Sequence, residues 1–172
     1  MKTVTILWAL LFAAPVFSPP GLWSDPRPST DGFKWFQLNE SATEVRKLLG
    51  QPAMVADAGE DSSWQYQIGA VEHDDFSHVL VFRKSDGKLV SITRSYNPER
   101  NVDAFFPADQ TTVQWFHTAG QPDFPMRVRR LAGGRILIAV GTSAPGQVTG
   151  QLVLMLESEA RRVYPWMELA TR

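Results

Sequence analysis

The chain has 172 residues, 44% of them hydrophobic, with 17 basic and 18 acidic side chains and no cysteine. That size and composition describe one moderate soluble fold, or two small units sharing a core. The net charge of −1 leaves no global field to attract nucleic acid, and without cysteine there is neither a disulfide framework nor a lipid-modified cysteine anchor. The pairs Arg129-Arg130 and Arg161-Arg162 read as solvated strand ends rather than a nucleic-acid stripe.

In chain order, residues 1–18 come first as a secretory signal peptide. Met1-Lys2 is followed by an apolar run from Ile6 to Phe17, too short to cross a hydrocarbon layer of about 30 Å. An uncleaved anchor is the alternative for this segment. Residues 19–32 are rich in Pro, Ser and Asp and read as a disordered tether.

A first unit is expected over 33–95. Ser41 and Glu44 have the spacing of a capping box, Val45, Leu48 and Leu49 share a helical face, and Gly50 and Pro52 stop the helix. Trp64, Tyr66 and Ile68 alternate with glutamines, the pattern of a half-buried strand. Residues 69–77 read as a connection. Two further strands then flank Asp86-Gly87, a dipeptide that tolerates the positive φ of a hairpin turn.

Residues 96–106 read as a connection, and a second unit is expected over 107–172. Gly50 aligns with Gly120 at an offset of 70 (120 − 50), which brings Ser41 and Glu44 onto Thr111 and Gln114, and Pro52 onto Pro122. The run 135–140, "RILIAV", takes the place of the Trp64 strand. Residues 151–163 match the hairpin of 78–90 at an offset of 73 (151 − 78). The same cap, stop, strand and hairpin in the same order predict a tandem duplication. The expected fold is α+β: two helix-then-antiparallel-strands repeats, with the helices packed on one face of a continuous antiparallel sheet.

The string "LNESATEVRKLLGQP", followed by "SWQYQI" and "VLVFRKSDGKLVSI", resembles the SmpA/OmlA (BamE-like) domain of bacterial envelope proteins. The resemblance covers 38–93 directly, and 107–166 mainly through the first unit. Two such units in tandem are similar to the β-lactamase inhibitory protein fold. The resemblance implies an exported, periplasmic or extracellular binding protein, linked to outer-membrane assembly or envelope integrity. Inhibition of a secreted hydrolase such as a β-lactamase is the alternative.

Few residues offer chemistry. Glu72, His73, Asp74, Asp75 and His78 could supply metal donors, but their spacing fits no standard ligand motif, and a solvated acidic loop is the plainer reading. A metal-dependent hydrolase built on them is a further alternative. His117 reads as a residue of the second helix. "GTSAPG" at 141–146 lacks the last glycine of a nucleophile elbow, and "LAGGR" at 131–135 lacks the length and lysine of a P-loop; both read as turns. The expectation is a non-catalytic module with no cofactor and no metal. Its partner would be another envelope or secreted protein, with no nucleic acid and no stable lipid anchor. The aromatic content nominates Trp35, Trp64, Tyr66, Trp115 and Trp166 for binding, together with Asp86 in the hairpin turn.

Overall fold

The computed structural model describes residues 28–29, 32–33, 36–71, 74–116, 123–165 and 167. Three two-residue strands, β1 (Pro28–Ser29), β2 (Gly32–Phe33) and β3 (Phe36–Gln37), form a small meander. Helix α1 (Ala42–Leu49) follows. Its capping box is complete: the Glu44 backbone N–H donates to Ser41 Oγ at 3.2 Å, and the Ser41 N–H donates to Glu44 Oε2 at 2.7 Å. Gly50 ends the helix at φ 79°.

Eight strands then form one antiparallel sheet. The first four, β4 (Met54–Ala58), β5 (Asp61–Val71), β6 (Asp74–Arg83) and β7 (Lys88–Asn101), are a meander. After two 3-10 turns, Asp103–Phe105 and Ala108–Gln110, so are β8 (Thr111–Phe116), β9 (Phe124–Leu131), β10 (Arg135–Val140) and β11 (Val148–Leu156), and α2 (Glu157–Val163) comes last among the described elements. The strand order β4-β5-β6-β7-β11-β10-β9-β8 joins the two meanders through their fourth strands. At that seam Ser91 to Ser95 of β7 pair with Met155 to Gln151 of β11.

Alternation along the strands defines two faces. On face A, Trp64, Leu80, Ile92, Leu154 and Leu137 lie side by side across five strands. They pack with Phe36, Leu38, Val45 of α1, and Val102 and Phe106 of the connection between the meanders. On face B, Ile136, Ile138, Val153 and Met155 pack with Met126, Val128, Ala160 of α2, and Met167. The second meander is thus covered on both sides, which explains the unbroken apolar runs of β10 and β11. In the first meander β5 keeps the alternation "SWQYQ" with Trp64 and Tyr66 buried on face A, while β6 and β7 also bury Ser77 and Ser91 on face B.

This arrangement overturns the expected two-repeat plan. The chain is mostly an eight-stranded antiparallel sheet with two short helices, not two helix-then-strands units. Nor do the helices share a face, since Val45 of α1 belongs to the face A core and Ala160 of α2 to that of face B. Residues 111–116, expected as helix, form β8. Thr111, Thr112, Val113, Trp115 and Phe116 are β-branched or aromatic, and pairing with β9 over six positions outweighs a cap-like spacing. Thr111 Oγ1 instead donates to Pro107 O at 2.7 Å.

The expected hairpin at 157–163 is α2. Opposite Asp86-Gly87 the second half carries Glu159-Ala160, and the left-handed conformation that Gly87 adopts at φ 65° would cost Ala160 about 1–2 kcal/mol. With acids in its first turn and Arg161 and Arg162 in its last, the segment suits a helix. The Arg161-Arg162 pair is therefore on a helix rather than a strand end. The expected connection at 69–77 is largely strand, because β5 continues to Val71 and β6 begins at Asp74. Likewise β7 runs to Asn101, well into the expected connection at 96–106.

Leu154 lies fully buried beside the seam. Leu154→Ala should lower the unfolding free energy by about 2–5 kcal/mol in urea titrations, with the m-value unchanged.

Candidate functional site

Face A carries a polar row where a sheet would ordinarily bury apolar groups. Across the strands Tyr66, His78, Arg94, Leu152, Ala139, Arg127 and Val113 stand opposite one another in register. Arg94 and His78 are fully enclosed. The Arg94 Nε–H donates to His78 Nε2 at 3.0 Å, which places the ring proton on Nδ1. Burial, reinforced by the Arg94 charge, holds the His78 pKa well below its ordinary value, so the ring is neutral.

Further along the row, Arg127 Nη1 meets Asp103 Oδ1 at 2.5 Å, and Nη2 donates to Phe106 O at 3.2 Å. Two residues along, in the next face A row beside Leu137, Arg129 donates to Phe105 O and to Gln110 Oε1. The Asp103 carboxylate also accepts from the Gly146 N–H at 2.7 Å; with Arg127 as the larger influence, these bonds hold its pKa below the usual carboxylate value. Arg127 and Arg129 thus fasten the connecting segment over face A. Their roles are architectural.

A second polar cluster lies at the end of β9. Arg130, Gly133, Gly134, Glu157 and Arg161 line a recess of about 380 Å³. Glu157 Oε1 accepts from Arg130 at 2.8 Å and from Arg161 at 2.7 Å, so one carboxylate already serves both cations. Arg162 contacts Asp61 and Glu159, tying α2 to the start of β5. No group of three or more potential metal ligands occurs among the described residues. Of the candidate donor segment, Glu72 and His73 lie outside the described residues, the backbones of Asp74 and Asp75 open β6, and His78 is buried beside Arg94.

The nominated binding residues are scattered. Trp35 and Trp166 lie outside the described residues, as does His117. Trp64 and Tyr66 are core residues of face A: Trp64 packs against Phe82 with ring centroids 4.6 Å apart, and Arg46 stands 4.5 Å above its ring. The Tyr66 hydroxyl donates to Gly50 O, bracing the end of α1. Asp86 is engaged within its own hairpin, paired with Arg83 at 2.6 Å and accepting from the Lys88 N–H. Trp115 differs: it sits on β8, an edge strand, and is 49% exposed.

The structure adds a site that the sequence reading does not find. Among the described residues the large exposed apolar side chains are Leu48, Met54, Val55, Val113, Trp115, Val148 and Val163. Four of these seven belong to the two edge strands, Met54 and Val55 to β4, and Val113 and Trp115 to β8. Leu48 lies near the end of α1, just before β4. Each edge strand pairs with one neighbour among the described residues. An open edge presents a row of unpaired N–H and C=O groups, and flanking apolar side chains make it a place to add a strand. The signal in the sequence was "TTVQWF" itself, once its period is taken as two rather than 3.6.

No protein-family model, curated protein or solved structure matches the chain.

Two pH effects follow from the polar row. Below about pH 6.5 the unfolded His78 ring takes a proton that the buried ring refuses, so folding stability should fall as the pH drops from 7 to 5. Urea titrations should show a shallower loss over that interval for His78→Gln than for the natural chain. The depressed Asp103 pKa has its window lower: its contribution is present above pH 3.8 and disappears as the pH falls through the folded value. Asp103→Asn should therefore be the less stable protein at pH 7, and the difference should narrow by pH 3.

Proposed function

We propose that this chain is an exported, non-catalytic protein-binding module of the bacterial envelope, which takes an extended segment of its partner onto an open edge of the sheet. The observation that carries this reading is the gathering of exposed apolar side chains on edge strands β4 and β8, including the half-exposed Trp115. Main-chain hydrogen bonds to the edge would supply affinity. Met54 and Val55 at one end, and Val113 and Trp115 at the other, would supply selectivity. The envelope location rests on the signal-like start of the chain and on the resemblance of 38–93 to SmpA/OmlA domains. The same resemblance supports a role in outer-membrane assembly or envelope integrity.

The test is crosslinking of the tagged full chain in its native envelope, with Val55→Lys and Trp115→Lys compared against the natural sequence. Lysine on an edge strand discourages strand addition, and at these exposed positions it should leave the unfolding midpoint within about 4 °C. A discrete captured protein, lost with at least one variant, is the expected result. An outer-membrane assembly component would place the module in that machinery. A single exported hydrolase would make it an inhibitor. Capture that survives both substitutions, or no specific capture, would overturn the reading.

A further inference from the structure

The two edges are not alike, and the difference points to what covers one of them. Edge β4 is five residues long, three of them alanine or aspartate, and its Asp57 stands 3.7 Å from Lys84. Edge β8 is "TTVQWF": six residues without a charge, a proline or a glycine, five of them β-branched or aromatic. It pairs with β9 without a register shift, so its outer row of N–H and C=O groups is regular. Charges, prolines and bulges are the usual guards of an exposed edge, and β8 has none of them. Nearby cations offer a foreign strand no handle either, because Arg127 and Arg129 in β9 are committed to Asp103, Phe105, Phe106 and Gln110. The strand this edge fits is uncharged, β-branched and aromatic. Its own sequence meets that description.

We propose that two copies of this chain associate through antiparallel β8–β8 pairing about a twofold axis perpendicular to the sheet. The proposal rests on the edge-binding reading above and names the partner of one edge. Such an axis sets face A beside face A, so Val113 must meet a residue of its own face, and half the conceivable registers are excluded. Among the rest, the register centred on Gln114 places Val113 opposite Trp115 and Thr112 opposite Phe116, each pair occurring twice. Aromatic against β-branched is a favourable cross-strand combination. The partner segments carry no charge, so no like charges meet within the six residues. Pairing would merge two sheets into one of sixteen strands and leave a β4 edge at each end, roughly 70 Å apart at the usual strand spacing. A single six-residue seam buries little area, so the dimer should be weak, with a Kd on the order of 1–100 μM.

Sedimentation equilibrium of the purified full chain at about 1–100 μM tests this directly. The expected result is a concentration-dependent monomer–dimer equilibrium that Val113→Lys with Trp115→Lys converts to monomer, while Val55→Lys leaves it intact. Because the chain has no cysteine, single cysteines report the register. Gln114→Cys should form a disulfide-linked dimer on mild oxidation, its two Cα atoms lying about 5 Å apart. Thr112→Cys should not, its two copies being about 14 Å apart in that register. A natural chain that stays monomeric throughout, or a dimer indifferent to the two lysines, would overturn the proposal. So would equal crosslinking of the two cysteine variants. None of these results depends on a foreign partner, so loss of the dimer with retained envelope capture at β4 would sink this inference alone.

Discussion

The pairing of β7 with β11 is the constraint from which the rest of the architecture follows. Each meander by itself is a four-stranded sheet from a short stretch of chain, with too little apolar surface to bury alone. Joined at their fourth strands they become a single sheet, and the long β7 serves as its spine. The seam brings Ile92 beside Leu154 and Arg94 beside Leu152, so the apolar and polar rows of face A both pass through it. It also sends both first strands, β4 and β8, to the outside.

A sheet of eight strands has two faces to cover, and two short helices cannot cover them. The chain meets this by distributing its few covering elements unevenly. Helix α1 and the small β1–β3 segment serve the first meander on face A, while the connecting segment with Val102 and Phe106 extends that cover toward the second. Helix α2 and Met167 protect face B of the second meander. Where the cover is single 3-10 turns, Asp103–Phe105 and Ala108–Gln110, rather than a longer helix, the carbonyl groups at their ends need donors. Arg127 and Arg129 supply them, which accounts for guanidinium groups on β9 where the same rows carry leucine, isoleucine and alanine on the strands alongside. A buried cation needs a counter-charge, and Asp103 meets Arg127 from the connection itself.

The edges follow from the same topology. Two meanders joined at the centre leave two rims, and among the described residues each rim strand is paired with one neighbouring strand. Exposed apolar side chains collect there because these strands have a neighbour on one side only. Main-chain groups and apolar side chains are therefore offered together, and this combination favours recognition of another extended strand over recognition of a small polar ligand. Among the described residues, Trp115 is the one nominated aromatic that the fold leaves half exposed. Trp64 and Tyr66 are consumed by the core.

Much of the local structure was legible. The Ser41–Glu44 box, the stop at Gly50, the Asp86-Gly87 hairpin and the alternation of "SWQYQ" are dictated by interactions within a few residues, and each appears as the sequence reads. The unbroken runs "RILIAV" and "LVLML" also encode burial on both faces. What the sequence could not settle is any element whose local signals are balanced. Thr111 and Gln114 imitate a helix cap at the spacing of Ser41 and Glu44, yet only the presence of β9 alongside decides for strand. Glu159-Ala160 falls where the first half turns on Gly87, and without a glycine there the segment's charge pattern and the packing of Ala160 on face B favour α2 over a hairpin. The amino-acid sequence by itself determined where the chain could turn, cap and bury. The tertiary structure alone decided which strands lie side by side and which rims stay open, because strand partnership is set by contacts between residues far apart in the chain.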